Sequence, residues 1–178
     1  MILIQFTGLS GSGKTTLAQN VRELLIKNGL TAQIVDGDVY RKTICKDLGF
    51  SKEDRCENVR RLFNVGRNFI ESDTKIVLMS VINPYESLRN ELRKHEFVRT
   101  VFLDCSLNNL IKRDPKGLYK KALLPDSDIN KINNFTGISD VFEIPEKADL
   151  VLKTDFETET FSTHKLYNFI INNLSDFK

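Results

Sequence analysis

The stretch Gly8-Leu9-Ser10-Gly11-Ser12-Gly13-Lys14-Thr15 decides the fold of this 178-residue chain. It satisfies the pattern Gly-x4-Gly-Lys-[Ser/Thr] in full, and it lies between an apolar run and a helix-forming run. A strand before such a loop and a helix after it make a phosphate-binding loop, because the loop amides and the helix N-terminus all point at an anion. The sequence therefore predicts a site for a nucleoside triphosphate near the start of the chain.

Each residue type in this phosphate loop has a physical reason. Glycine allows unusual φ values and removes the Cβ atoms that would keep a phosphate away. Lys14 supplies a point charge for the β and γ phosphates, and Thr15 supplies a hydroxyl for Mg²⁺. The residues expected to bind the phosphates are Gly8, Ser10, Gly11, Ser12, Gly13, Lys14, Thr15 and Thr16.

Outward from the loop, apolar runs alternate with helical patterns. Strands are predicted over 2–6, 31–35, 76–81, 98–103 and 150–152. Helices are predicted over 15–28, 39–47, 52–71, 85–95, 106–113 and 157–174, with Ser51 as the N-cap of the third, and 114–135 is expected to be a loop. This alternation predicts an α/β chain with the three-layer fold of P-loop NTPases, a mainly parallel five-stranded sheet with helices on both faces, and a single domain over 1–178.

The composition excludes several classes of protein. The chain has 26 basic and 24 acidic residues, a formal net charge of +2, which argues against a nucleic acid or a membrane surface as partner. Its longest apolar run is far below the ~18 residues that span a bilayer. Three cysteines without a CxxC pair fit a reducing cytoplasm better than a disulfide framework or a zinc site. Local basic clusters in a nearly neutral chain favour a small anionic ligand.

Two carboxylates follow the second predicted strand, at Asp36 and Asp38, and Arg41 lies one turn further. The C-terminal ends of parallel strands share one edge of a sheet, so these groups should lie near the phosphate loop. One carboxylate suits a metal-bound water, and the other suits proton removal from an attacking hydroxyl. An Asp-Gly turn with two solvated carboxylates is the alternative.

Beyond these patterns, residues 5–155 resemble the adenylylsulfate kinase family, whose members phosphorylate the 3′-hydroxyl of adenosine 5′-phosphosulfate (APS). The most specific matches are Lys116–Ala122 (KGLYKKA) and Phe135–Ile138 (FTGI), because the phosphate loop alone is shared by many proteins. The other matching stretches are 6–16, 36–41, 48–61, Asn83-Pro84-Tyr85 with Arg89, 113–115 and 139–145.

The resemblance implies ATP and Mg²⁺ as cofactors and a role for particular residues. Asp38 is implied as the general base, Lys14 as the group that offsets developing charge, and Asp36 with Thr15 as the metal partners. Lys116 and Lys120 are implied to belong to a mobile basic lid over about 114–135. The other implied acceptor contacts are Arg41, Phe50, Arg55, Asn58, Ile82 and Phe135, of which the two phenylalanines would enclose the adenine.

The chain departs from the family pattern at two places. Asn83 stands where many members carry a serine that is reported as a phosphorylation site, so no phosphoenzyme intermediate is expected. The segment 123–134, beside the acceptor pocket, is Asn-rich and longer than usual. Two alternatives to an APS kinase stay open: the same chemistry on another nucleotide, such as a cytidine 5′-diphosphate derivative, and a nucleotide-binding regulator without catalysis. A small nucleotide is the expected partner, and a homodimer is also considered.

Overall fold

Five parallel strands form the centre of the molecule, in the order β2-β3-β1-β4-β5. The computed structural model describes residues 1–175. The strands are β1 Ile2–Thr7, β2 Ala32–Asp36, β3 Ile76–Ser80, β4 Val98–Asp104 and β5 Leu150–Lys153. Every strand pairing in the described residues is parallel, which confirms the predicted α/β class.

Helices cover both faces of this sheet. They are α1 Lys14–Lys27, α2 Gly37–Tyr40, α3 Lys52–Glu71, α4 Glu86–Arg93, α5 Leu107–Arg113, α6 Leu118–Ala122 and α7 Glu159–Ser175. Successive side chains of β1 point to opposite faces. Ile2 and Ile4 pack in one core with α1 and α7, whereas Leu3 packs in a second core with α3 and α4. The three predicted layers follow from this alternation.

The sequence prediction was wrong in one helix. A helix was expected over 39–47, but α2 ends at Tyr40 and turns follow it. The helix begins early because the Asp36 side chain accepts a hydrogen bond from the Asp38 amide, which is an N-cap interaction. It ends early because the Arg41 guanidinium donates to the carbonyls of Leu48 and Gly49, which brings the chain back on itself.

The predicted loop over 114–135 contains the short helix α6. Its start is fixed by the Asp114 carboxylate, which accepts hydrogen bonds from the amides of Tyr119 and Lys120. Tyr119 is buried, and its hydroxyl donates to the carbonyl of Ser10 in the phosphate loop at 2.9 Å. This tertiary contact, rather than local propensity, explains a helix between Pro115 and an Asn-rich segment.

The parallel arrangement gathers functional segments at one edge of the sheet. The phosphate loop leaves β1, Asp36 ends β2, and Ser80 ends β3. In residues 1–175, no helix has the combined length and apolar character needed to cross a membrane.

Packing of α3 on the sheet depends on Gly66, where a Cβ would lie 2.8 Å from Cδ1 of Leu3 and 3.3 Å from Cγ1 of Val77. We expect Gly66→Val to overpack this contact and to lower the free energy of unfolding by about 1–3 kcal/mol. Denaturant unfolding measures the loss, with Asn64→Val on the exposed face of the same helix as the matched control. Valine has a higher helix propensity than glycine, so propensity alone would not produce a loss at position 66; an equal loss in both variants would contradict the overpacking.

Candidate active site

A cleft of about 790 Å³ opens at this edge of the sheet. Its walls come from the phosphate loop, the ends of β2 and β3, the start of α3 and the segment 115–136. Most of the residues predicted from the sequence line it: Ser10, Gly11, Gly13, Lys14, Thr15, Thr16, Asp36, Asp38, Arg41, Phe50, Arg55, Asn58, Ile82, Lys116 and Phe135. Gly8, Ser12 and Lys120 are not among its lining residues.

The phosphate loop has the backbone that its glycines predict. Gly8, Gly11 and Gly13 all have positive φ values. At Gly8, a Cβ would lie 2.8 Å from the carbonyl oxygen of Leu103 and 2.9 Å from Oγ of Ser12, so only glycine fits. Gly13 is the N-cap of α1 and has no side chain to cap it. The first amides of α1 therefore face the cleft side of the loop without an intrahelical carbonyl, as an anion site requires.

Lys14 is buried beneath the loop. Its Nζ donates to the carbonyls of Gly8 at 2.8 Å and Leu9 at 2.7 Å, and to Oγ of Ser12 at 3.3 Å. The pKa of Lys14 is lowered to about 7, mainly by burial and in part by the positive charge of Lys116. The carboxylates of Asp38 and Asp36 act in the opposite direction but do not cancel the cost of burial.

Three side-chain oxygen atoms meet on the floor of the cleft. Thr15 Oγ1 donates to Oδ2 of Asp36 at 2.8 Å and lies 3.3 Å from Oγ of Ser80. In the described part of the chain, no cluster of three or more His, Cys, Asp or Glu side chains could hold a metal by itself. A hydroxyl and one carboxylate suit Mg²⁺, because this ion prefers oxygen ligands. Mg²⁺ usually binds only one or two protein groups together with the phosphates of a nucleotide. Ser80 was missed by the sequence reasoning, although it ends the strand next to β1 and β2.

Asp38 and Lys116 face each other across the cleft mouth. Asp38 lies in α2, and its carboxylate pairs with Nζ of Lys116 from the segment before α6. Both side chains are more than half exposed to solvent. Lys120 was predicted to act beside Lys116, but its side chain is exposed on α6 and away from the cleft lining.

Cationic side chains surround Phe50 on the opposite wall. The guanidinium carbon of Arg41 lies 4.7 Å from the centroid of the Phe50 ring, and that of Arg55 lies 5.6 Å away. Arg55 also forms an ion pair with Asp140 at 3.1 Å. Phe135 packs edge-on against Tyr119, with 5.0 Å between the ring centroids. The wall thus combines aromatic faces with positive charge, which suits an anionic ligand that carries a flat ring.

Three buried polar atoms that belong to cleft-lining residues have no hydrogen-bond partner within residues 1–175. They are Oδ1 of Asn58, Oδ1 of Asn83 and Oγ1 of Thr136. Buried polar atoms in folded proteins are almost always satisfied, so unpaired ones beside a cleft indicate a polar ligand. Asn58 was predicted from the sequence, whereas Thr136 was noted only as part of the FTGI stretch.

The chain has a phosphate loop between β1 and α1, side-chain oxygens at the ends of β2 and β3, and a second carboxylate at the start of α2. These features define the class of P-loop phosphotransferases. Comparison with known proteins narrows this class. The family model described as adenylylsulphate kinase matches residues 1–153. The chain belongs to the adenylylsulphate kinase family.

Individual relatives agree with this assignment. The adenylyl-sulfate kinases of Buchnera aphidicola and Halothermothrix orenii are each 42% identical to the chain; the alignments cover 95% of it and 78% and 89% of the relatives. Among solved structures, an APS kinase of Mycobacterium tuberculosis in complex with AMPPNP and APS has a TM-score of 0.87 and 35% identity, over 96% of this chain and 97% of that one. A shikimate kinase of Acinetobacter baumannii, at 22% identity, a TM-score of 0.61 and coverage of 97% and 94%, shares the fold.

The lowered pKa of Lys14 predicts that ATP binding is linked to protonation. At pH 8 this amine is mostly neutral in the free protein, and a polyphosphate would restore its charge. We expect ATP binding at pH 8 to take up about one proton, and the affinity for ATP to fall as the pH rises above 7. Calorimetry in buffers of different ionisation enthalpy measures the uptake. Lys14→Arg stays charged and should take up none; the same uptake in that variant would exclude Lys14.

Proposed function

We propose that this chain transfers the γ-phosphoryl group of ATP to the 3′-hydroxyl of APS, which gives 3′-phosphoadenosine 5′-phosphosulfate. One observation carries the proposal: the phosphate loop and the carboxylate of Asp38 line the same cleft, so a donor phosphate and an acceptor hydroxyl can meet there. The family of the chain and the nucleotides in its solved neighbour support APS as the acceptor.

The donor half of the reaction rests on the phosphate loop. The amides of the loop and of the first turn of α1 would bind the β and γ phosphates, and the ammonium of Lys14 would exchange loop carbonyls for phosphate oxygens. Thr15 and Asp36 would hold Mg²⁺, which would supply positive charge to offset that of the phosphates. These groups are fixed before the substrate arrives, which favours stabilisation of the charge that develops in the transition state.

The acceptor half rests on Asp38 and the wall around Phe50. Asp38 would accept the proton of the 3′-hydroxyl as the oxygen attacks the γ-phosphorus in line. Arg41 and Arg55 would bind the anionic phosphosulfate group, and Asn58 offers an unpaired carbonyl oxygen to a donor of the nucleotide. Phe50 and Phe135 offer aromatic surface to the adenine.

The lid is proposed to be the segment 114–135. Tyr119 attaches α6 to the phosphate loop, and Lys116 contacts Asp38. When APS binds, Lys116 would leave Asp38 for the phosphates, which frees the base and places a positive charge beside the transferred group. Closure would also keep out water, which otherwise accepts the phosphoryl group.

The remaining expectations stay predictions. They are a location in the reducing cytoplasm, one kinase domain over 1–178 and a homodimer.

Replacing Asp38 with Asn should lower kcat about 10²- to 10⁴-fold, because the amide cannot accept the hydroxyl proton, while ATP affinity stays close to that of the parent. Steady-state kinetics and ATP titration measure the two effects. Asp47→Asn, an exposed carboxylate outside the cleft, is the matched control and should keep the parent rate. A kcat close to that of the parent in Asp38→Asn would show that Asp38 is not the base.

The acceptor is tested with a panel of nucleotides that carry a free 3′-hydroxyl, each assayed with ATP and Mg²⁺. APS should have the highest kcat/KM, because its adenine and its phosphosulfate meet complementary groups. A higher value for a cytidine 5′-diphosphate derivative would keep the chemistry and change the substrate. The absence of turnover with every nucleotide, in protein that still binds ATP, would favour a regulator and overturn the proposal.

A further inference from the structure

A buried polar network lies behind the part of the cleft wall formed by Ile82, Asn83 and Pro84. Its centre is Gln5, in the middle of the central strand β1, with a side chain that is fully buried. Its neighbours in the strand, Ile4 and Phe6, belong to the apolar core. A buried amide at such a position lowers stability unless all its polar atoms are paired, so its presence needs an explanation.

The amide of Gln5 is paired on both sides. Its Oε1 accepts a hydrogen bond of 3.0 Å from Nδ2 of Asn83. Its Nε2 donates to Oγ1 of Thr100 at 2.9 Å and to the carbonyl of Arg89 at 3.3 Å. Gln5 therefore connects the cleft wall to strand β4 and to helix α4. Gln5 itself does not line the cleft, so it can affect a bound nucleotide only through its partners.

The backbone of Asn83 is held in an unusual conformation. Its φ of 42° lies in the left-handed region, which asparagine tolerates better than most residues. Its carbonyl accepts hydrogen bonds from Oγ1 of Thr7 at 3.0 Å and from Nη1 of Arg89 at 2.8 Å. Arg89 is only 1% exposed and is held in turn by the carboxylate of Glu86.

The same segment is tied to the phosphate loop. The carbonyl of Ile82 accepts hydrogen bonds from Oγ1 of Thr7 at 2.9 Å and from the amide of Gly8 at 3.3 Å. The distance between the donor site and this wall is thus set by buried contacts that do not involve a ligand. Phosphoryl transfer is sensitive to such a distance, because an attacking oxygen misplaced by about 1 Å can cost two orders of magnitude in rate.

We propose that Gln5 is a positioning residue for the acceptor: through its hydrogen bond to Asn83 it fixes the wall 82–84 relative to the phosphate loop. Asn83 joins the wall to the core, because its Nδ2 donates a hydrogen bond to Oε1 of Gln5. This inference deepens the proposed function, since it assumes that the acceptor lies against this wall. The inference predicts that Gln5 and Asn83 act together, so that loss of either residue has the same effect as loss of both.

A double-mutant cycle tests the pair. Gln5→Met keeps a similar volume but cannot accept a hydrogen bond, and Asn83→Gly keeps access to positive φ but has no amide. Each single variant should raise the KM for APS by about five- to twentyfold, and the double variant should be no worse than the single ones, as expected for coupled residues. The KM for ATP should stay within about twofold of the parent, since the phosphate loop keeps its own contacts.

Thr100→Val is the matched control. It removes the other side-chain partner of Gln5 but leaves the hydrogen bond to Asn83, so it should lower the Tm without raising the KM for APS. If it raises this KM as much as Gln5→Met does, or if the effects of the two singles multiply in the double variant, the proposed coupling is wrong. An unchanged KM for APS in both folded singles would also overturn it.

The assay separates this inference from the proposed function. Turnover of APS by the parent protein is measured first, and its absence overturns the proposed function whatever the variants do. The cycle is then run on the nucleotide that the parent accepts. If Gln5→Met does not fold, Gln5→Leu replaces it in the cycle: it should raise the acceptor KM and spare the KM for ATP, and a parent-like acceptor KM in that folded variant contradicts the inference.

Discussion

The hydrogen bond from Thr15 Oγ1 to the carboxylate of Asp36 is the contact on which the site depends. Thr15 belongs to the first turn of α1, and Asp36 is the last residue of β2, two strands away from β1 in the sheet. The contact therefore fixes the floor of the cleft, where Mg²⁺ is proposed to bind, across the sheet. Asp36 also caps α2 through the Asp38 amide, so one carboxylate positions both the candidate metal ligands and the candidate base.

The burial of Lys14 sets a second constraint on the site. Lys14 is nearly enclosed, and the free protein holds its amine against loop carbonyls instead of a carboxylate. A full ion pair would satisfy that amine permanently and would compete with phosphate. Carbonyl dipoles are weaker partners, so the polyphosphate can replace them and recover the cost of burying the charge. The lowered pKa is thus a consequence of a site built for an anion that is not part of the chain.

The sequence predicted the structure correctly where an element is long or where neighbouring residues determine its conformation. The helix over 52–71 was predicted with the bounds of α3, because Ser51 caps it through the Asp54 amide and its apolar positions repeat over five turns. The phosphate loop was equally clear, because its positive φ values require glycine. The short α2 was misplaced, since its length depends on Arg41 reaching Leu48 and Gly49.

Contacts between distant residues were beyond the sequence. Nothing local indicates that Ser80 meets Thr15, or that the Gln5 amide meets that of Asn83 across 78 positions. The KGLYKKA stretch implied two lid lysines, and the role of Lys120 stays a prediction, since its exposed side chain does not line the cleft. Because α6 is fixed by Asp114 and by the Tyr119 contact with Ser10, Lys116 faces the cleft and Lys120 faces solvent.

The ion pair between Lys116 and Asp38 has the strength that a lid contact requires. Both side chains are more than half exposed, and such pairs contribute only ~0–1 kcal/mol because water and salt screen them. The pair can therefore hold the segment before α6 near the cleft and still yield to a ligand. A phosphate group carries more negative charge than one carboxylate and lies deeper, where screening is weaker. Lys116 should thus exchange its partner when the cleft fills, and the same movement exposes Asp38 to the acceptor hydroxyl.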